Sequence, residues 1–141
     1  MTSFYNEAVV DSVVWIGVKS KRDQYKKISR AIMDSFIKGD IRKILITDYV
    51  LLETISFLLK KSGFEEAIET LNMFLQNERI EIVFVDELML ETAKSLFEKY
   101  RDLSLTDCSI IALMEEKKIK TLFSFDNGFD KIKGIIRKES I

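Results

Sequence analysis

The alternation of hydrophobic and polar positions divides the chain into short strand-like runs and helix-like segments. Runs rich in β-branched residues occupy positions 8–10, 43–47, 80–85 and 120–125. Each run is followed by a stretch in which apolar residues recur at helical spacing. Because strands that alternate with helices form parallel sheets, this order predicts an α/β fold around a mainly parallel sheet.

Polar residues and glycines between the runs indicate where helices begin and end. A helix is predicted around residues 28–36, with Gly39 where a C-cap is expected. Further helices are predicted from the N-cap Asp48 to Lys61, from Glu65 to Gln76, from Glu87 to Tyr100 after the cap Asp86, and from Ser104, which opens a capping box, to Lys118. No linker or composition shift divides the chain, so we expect one domain over residues 1–141.

The amino-acid composition excludes several kinds of active site. The chain has no histidine, which excludes a Ser-His-Asp triad and zinc-histidine sites. Its five glycines are spaced so that neither a dinucleotide-binding motif nor a P-loop can be written. Carboxylates are abundant, and without histidine or thiolate partners they favour hard cations such as Mg²⁺ or Mn²⁺.

The expected compartment follows from cysteine usage and from the hydrophobic runs. Cys108 is the only cysteine and cannot form an intramolecular disulfide. The first residues lack the layout of a signal peptide, and the early apolar run of residues 8–18 is too short to span a bilayer. We therefore expect a cytoplasmic protein without a membrane anchor.

Two aspartates stand at the ends of predicted strands. Asp11 interrupts an apolar run where the first strand should end, and Asp126 ends the run 120–125. In an open parallel sheet, ligands bind beyond the carboxyl ends of the strands, so both residues would face the expected site. A helix N-cap at Asp11 and an ordinary turn residue at Asp126 are alternative explanations.

Two further acids lie near predicted helix starts. Glu53 has apolar neighbours on both sides, a setting that disfavours a solvated surface glutamate. Asp107 is the last residue of a capping box, which by itself explains an acid there. All four acids are predicted at the same end of the sheet. Two carboxylates ~5 Å apart repel by about 3 kcal/mol at an effective dielectric of 20, so we expect divalent cations and hydrolysis of nucleic acid.

These residues resemble the motifs of the PIN domain family, and within it the VapC-like toxin ribonucleases of type II toxin–antitoxin pairs. The resemblance spans nearly the whole chain. Its four motifs are matched in order by Asp11-Ser12-Val13-Val14, by Glu53 within Leu-Leu-Glu-Thr, by the segment 103–108 that contains Thr106-Asp107, and by Ser124-Phe125-Asp126.

The resemblance implies a three-layer α/β/α fold with four to five strands and a Mg²⁺- or Mn²⁺-dependent endoribonuclease. It implies that Asp11, Glu53, Asp107 and Asp126 are the catalytic and metal-binding acids, supported by the hydroxyls of Ser12, Thr106 and Ser124. It also implies an RNA substrate, a cognate antitoxin and a homodimer. One departure is Gly128, where many family members carry a further acid, which implies a weaker second metal site.

A basic cluster downstream of Asp11 is a candidate for contact with RNA phosphates. It consists of Lys19, Lys21, Arg22, Lys26, Lys27 and Arg30. A solvated helix face explains these residues equally well.

Three other functions are compatible with parts of the pattern. An RNA-processing or quality-control PIN nuclease without an antitoxin would carry the same acids. A phosphatase-like or phosphoacceptor α/β domain also places aspartates at strand ends but offers no role for Glu53. A PIN-like interaction module without catalysis would not need all four carboxylates.

Overall fold

The computed structural model describes residues 4–19 and 25–141. Within these residues the strands are β1 (Tyr5–Val10), β2 (Ile41–Thr47), β3 (Ile80–Val83), β4 (Thr121–Phe123) and β5 (Ile136–Lys138). The helices are α1 (Ser12–Lys19), α2 (Lys26–Lys38), α3 (Asp48–Lys61), α4 (Phe64–Gln76), α5 (Glu87–Lys99), α6 (Leu105–Lys117) and a short 3₁₀ helix (Asn127–Lys131).

The strands form one parallel sheet in the order β3-β2-β1-β4-β5. Helices α1 to α4 pack on one another and α5 packs on α6, and both groups contact β2. The predicted α/β fold with a mainly parallel sheet is therefore confirmed. Helix α6 is buried from Cys108 to Met114, because it lies in the core rather than on the surface.

The sheet reverses its strand order beside β1. The chain adds β2 and β3 on one side of β1 and later adds β4 and β5 on the other side. In such sheets the crevice for a ligand opens at the carboxyl ends of the two strands that flank the reversal. Here those strands are β1 and β4, whose last residues Val10 and Phe123 are paired.

Several details differ from the predictions made from the sequence. Thr47, not Asp48, is the N-cap of α3, because its side chain accepts a hydrogen bond from the Val50 amide at 3.1 Å. Asp48 instead accepts from the Val85 amide at 2.9 Å and ties the start of α3 to the segment after β3. The fifth strand was not predicted from a hydrophobic run, because β5 is a three-residue edge strand with no buried residue.

The remaining helix caps agree with the sequence. Gly39 follows α2 with φ 96°, a left-handed conformation that glycine adopts without a steric cost. Asp86 caps α5 and Ser104 caps α6. In the described part of the chain, no helix is long and apolar enough to cross a membrane.

Candidate active site

Asp11 lies at the switch point of the sheet, directly after β1. Its backbone amide donates to the carbonyl of Phe123 at 3.0 Å, so the first residue beyond β1 is still tied to β4. The same register places Ser124, the first residue beyond β4, beside Asp11. Both residues therefore enter the crevice in which a parallel sheet binds its ligands.

The carboxylate of Asp11 is buried and held on both oxygens. Its Oδ1 accepts from the Ser12 amide at 2.8 Å, and its Oδ2 accepts from the Ser124 hydroxyl at 2.9 Å. The side chain has little contact with solvent, since the residue is 6% exposed. The side chain of a helix N-cap accepts from the amide two or three residues ahead, whereas Asp11 Oδ1 accepts from the amide of the next residue. This hydrogen bond does not match the capping alternative.

Burial raises the pKa of Asp11 to about 6. The hydrogen bonds from Ser124 and Ser12 act in the opposite direction, and the negative charges of Asp107 and Glu53 raise the pKa further. The folded chain therefore stabilises the ionised form of Asp11 less well than water does. A nearby cation would favour that ionised form.

Glu53 reaches the site from α3. Its Oε1 accepts a hydrogen bond from the hydroxyl of Ser12 at 3.0 Å, which links the second acid to the residue that follows the first. The expectation that apolar neighbours would keep Glu53 from solvent is wrong: Glu53 is exposed, and so are Leu52 and Phe57 on the same helix. Hydrophobic neighbours in sequence did not imply burial because this part of α3 faces solvent.

Asp107 is positioned by the N-terminus of α6. Ser104 and Asp107 form the predicted capping box, with the Asp107 amide donating to the Ser104 hydroxyl at 3.0 Å and the Ser104 amide donating to Asp107 Oδ2 at 3.3 Å. Burial raises the pKa of Asp107, the bonds to Ser104 lower it, and the charges of Asp126 and Glu53 raise it. Asp107 therefore takes part in the capping box and also lies close to the other acids.

Asp126 lies beyond β4 rather than at its last residue, because β4 ends at Phe123. Its Oδ1 accepts from the Gly128 amide at 2.8 Å and caps the 3₁₀ helix. Its own amide donates to the Ser124 hydroxyl at 3.1 Å, and that hydroxyl holds Asp11. The turn thus joins Asp126 to the buried aspartate through one serine.

The four acids form a linked group. Asp11 interacts electrostatically with Asp107 and Glu53, and Asp107 interacts with Glu53 and Asp126. Among residues 4–19 and 25–141, no three His, Cys, Asp or Glu side chains are already arranged to hold one metal ion. Every donor of the group is a carboxylate oxygen, a set that suits Mg²⁺ or Mn²⁺, and the raised pKa of Asp11 marks a charge that a cation would stabilise.

Two of the three predicted supporting hydroxyls contact the acids. Ser12 donates to Glu53 and Ser124 donates to Asp11. Thr106 is half-buried directly before Asp107, and its carbonyl accepts from the Ser109 hydroxyl at 2.6 Å. A supporting role for the Thr106 hydroxyl stays a prediction.

The predicted RNA-binding cluster is only partly described. Lys21 and Arg22 lie outside the described residues. Lys19 forms ion pairs with Glu66 and Glu69, each at 3.2 Å, so its charge is already partly compensated. Lys26, Lys27 and Arg30 lie in the first turns of α2, where Lys27 and Arg30 are exposed. The proposal of RNA contact therefore concerns this part of α2 above all.

Sequence patterns missed Arg137, which lies on β5 and donates to the carbonyl of Ser124 at 3.2 Å. The short sequence Ile136–Lys138 carries too weak a strand signal to reveal this contact. Thr47 was missed as the cap that starts α3, the helix that carries Glu53. A threonine followed three residues later by an apolar residue was the only available signal, and Asp48 beside it was the stronger capping candidate.

Comparison with known proteins agrees with this geometry. The VapC ribonuclease of Mycobacterium bovis is 28% identical over 129 residues, which cover 92% of this chain and 97% of that protein. The crystal structure of VapC20 from Mycobacterium tuberculosis, described as a sarcin-ricin loop cleaving toxin, superimposes with a TM-score of 0.78 at 19% identity. The superposition covers 91% of this chain and 96% of VapC20.

One chain of a toxin–antitoxin complex from Klebsiella pneumoniae has a similar fold, with a TM-score of 0.71 and 17% identity. The match covers 95% of this chain and 99% of that one. The sequence also matches the PIN domain family over residues 8–135, a range that contains all four acids of the site. The chain belongs to the PIN domain family.

Proposed function

We propose that the chain is a metal-dependent endoribonuclease that hydrolyses RNA phosphodiester bonds as the toxin of a toxin–antitoxin pair. The observation that carries this proposal is the buried carboxylate of Asp11, held by Ser124 at the switch point of the sheet. The ribonuclease activity of the similar VapC proteins supports it.

In this proposal Asp11, Glu53, Asp107 and Asp126 hold Mg²⁺ or Mn²⁺. Bound there, a divalent ion supplies Lewis-acid chemistry for hydrolysis of a phosphodiester. The residues of the chain orient these donors: Ser124 fixes Asp11, Ser12 fixes Glu53, and the capping box fixes Asp107. Burial of Asp11 strengthens its attraction to a cation, because charges interact more strongly where water is excluded.

Cleavage of a structured RNA by the purified chain tests the activity. We expect cutting in Mg²⁺ or Mn²⁺, no cutting in EDTA, and loss of cutting in Asp11→Asn. Asp34→Asn is a matched control, because Asp34 is exposed on α2 and forms no part of the acidic group. A folded wild-type chain that cuts no RNA in either metal, once freed of bound antitoxin, would favour the non-catalytic interaction module.

An apolar groove supports the proposal of a protein partner. It is a cavity of about 250 Å³ between α1, α2 and α4, and Trp15, Met33, Phe36, Ile37 and Met73 contribute to its lining. The ion pairs of Lys19 with Glu66 and Glu69 lie at its side. An antitoxin segment with apolar side chains would fit there, and the similar fold of the Klebsiella toxin–antitoxin complex supports this choice of partner.

The antitoxin proposal predicts that a small protein encoded beside this chain binds it and inhibits cleavage. Met73→Glu should weaken that binding, because it places a charge in the groove. Leu75→Glu is the matched control, since Leu75 is 62% exposed on the same helix and does not line the groove. Active cleavage without any inhibitory neighbour would favour an RNA-processing nuclease instead.

Exposed apolar residues near the start of α3 support the proposal of a homodimer. Tyr49 is 49% exposed and Phe84 is 70% exposed, and the bond from the Val85 amide to Asp48 holds these two segments together. Covering such side chains would remove apolar surface from water. Phe84→Asp should shift the chain from dimer to monomer in light scattering; an unchanged mass would place any interface elsewhere.

A further inference from the structure

Arg137 makes an unusually complete set of contacts for a residue on an edge strand. Its Nε and Nη2 donate to the two oxygens of Asp130 at 2.8 and 3.0 Å. Its Nη1 donates to Glu139 at 2.6 Å and to the carbonyl of Ser124 at 3.2 Å. The side chain is 11% exposed, so the guanidinium is held between these groups rather than free in solvent.

These contacts brace both ends of one turn. Ser124 begins the turn, Asp126 lies within it, and Asp130 belongs to the 3₁₀ helix that follows. The bidentate pair with Asp130 fixes the plane of the guanidinium, because two parallel hydrogen bonds leave it little freedom. The hydrogen bond from Nη1 then holds the Ser124 carbonyl at a fixed distance from the 3₁₀ helix.

Strand β5 fixes Ser124 through both of its backbone polar groups. The Ser124 amide donates to the carbonyl of Lys138 at 3.1 Å, and its carbonyl accepts from Arg137. With the backbone fixed, the fully buried hydroxyl donates to Asp11 Oδ2 and accepts from the Asp126 amide. One serine thus connects β5 to two of the four acids.

The charges around Arg137 indicate that its role is internal. The carboxylates of Asp130 and Glu139 raise the pKa of Arg137, so the guanidinium is charged and already paired. An arginine that bound an RNA phosphate would need donors free for that phosphate. Its four hydrogen bonds instead go to three partners within the chain, which are two carboxylates and one carbonyl of the site.

We propose that Arg137 is a positioning residue for the nuclease: it fixes the Ser124 backbone, and through the Ser124 hydroxyl it orients Asp11 for metal binding. The metal-binding part rests on the function proposed above. Groups that orient metal ligands commonly change metal affinity about 10- to 100-fold when they are removed. Arg137→Met should therefore weaken Mn²⁺ binding by about 10-fold, and Arg137→Lys should weaken it less, because lysine keeps the charge but loses the fork.

A double-mutant cycle separates positioning from a general effect on stability. Calorimetric titration with Mn²⁺ is done on the wild type, Arg137→Met, Ser124→Ala and the double variant. If Arg137 acts through the hydroxyl, its substitution has no further effect once Ser124 is alanine. Arg42→Met is the matched control, because Arg42 lies near the opposite end of the sheet, over the ring of Phe4.

Amide hydrogen exchange gives a second readout that needs no metal. Arg137→Met should speed exchange of the Asp126 amide, which donates to the Ser124 hydroxyl, by at least about 10-fold beyond any change in global stability. If Arg137→Met does not fold, the pair Asp130→Asn with Glu139→Gln loosens the same guanidinium without removing it.

The outcomes distinguish the two proposals. Additive losses in the cycle, or unchanged exchange at Asp126, would overturn the role of Arg137. A folded wild type that binds no Mn²⁺ and cuts no RNA would refute the proposed function, while the exchange experiment would still decide whether Arg137 braces the turn. Non-additive losses together with faster exchange are the result we expect.

Discussion

Replacing Asp11 with asparagine should abolish RNA cleavage and yet stabilise the metal-free fold. Burial raises the pKa of Asp11 from its usual 3.8 to about 6, so near neutral pH the folded chain carries an ionised group that water would solvate better. Each unit of difference between the folded and unfolded pKa corresponds to about 1.4 kcal/mol, so keeping Asp11 ionised in the folded chain costs about 3 kcal/mol at neutral pH. Asparagine removes this cost.

The net gain is smaller than the full electrostatic cost. Asparagine can still accept from the Ser12 amide, but its NH₂ group cannot accept the bond that Ser124 donates to Oδ2. Losing that bond costs about 1 kcal/mol. We therefore expect Asp11→Asn to be about 2 kcal/mol more stable at pH 7 in EDTA, and to melt several degrees higher.

The sign of the pH dependence follows from the direction of the change in pKa. Because the folded pKa lies above the unfolded one, Asp11 is protonated in both states at pH values well below 4 and carries no penalty there. As the pH rises from about 4 to about 6, the unfolded chain loses the proton first and wild-type stability falls. Above about pH 6 the penalty is constant.

Urea denaturation in EDTA at pH 4 and pH 7 measures this effect directly. The stability difference between Asp11→Asn and the wild type should grow by about 2 kcal/mol between the two pH values, because part of the full cost is already present at pH 4. The constant loss of the Ser124 bond cancels in that comparison. Asp34→Asn, an exposed control, should stay within about 0.5 kcal/mol of the wild type at pH 7. A difference that does not change with pH would refute the argument that burial makes Asp11 costly.

Three further predictions concern the metal, a helix contact and a cap. Mg²⁺ at 100 times its dissociation constant should stabilise the wild type by about 2.7 kcal/mol in thermal melts, and should leave Asp11→Asn unshifted. Gly17→Ala should cost about 1–3 kcal/mol in urea denaturation, because the added Cβ would lie 2.3 Å from Ser29 Oγ; an unchanged midpoint would show that α1 and α2 separate easily. Ser104→Ala removes the capping box of α6 and should cost about 1 kcal/mol in the same assay. It should also reduce RNA cleavage, since the Asp107 amide loses its bond to the Ser104 hydroxyl and only the bond from the residue 104 amide to Asp107 Oδ2 remains. Full activity would show that the cap does not position this acid.

The class of fold and the candidate acids could be predicted from the sequence alone. Hydrophobic periodicity depends on local geometry, so the order of strands and helices could be predicted from it. Most helix caps could be predicted from the polar residues and glycines between the apolar runs. Asp11 could be recognised because an acid inside an apolar run is costly without a reason. The capping box at Ser104 could be recognised because its two partners are three residues apart.

Features that depend on contacts between distant segments became visible only in the folded chain. Glu53 is exposed although its neighbours in sequence are apolar, since exposure is set by which face of α3 meets the sheet. The bond from Ser124 to Asp11 joins residues 113 positions apart, and the brace from Arg137 comes from an edge strand that hydrophobic pattern did not reveal. A sequence pattern shows which acids and hydroxyls the chain contains, but the order of the strands brings them together. Parallel strands that are far apart in the chain end at the same edge of the sheet.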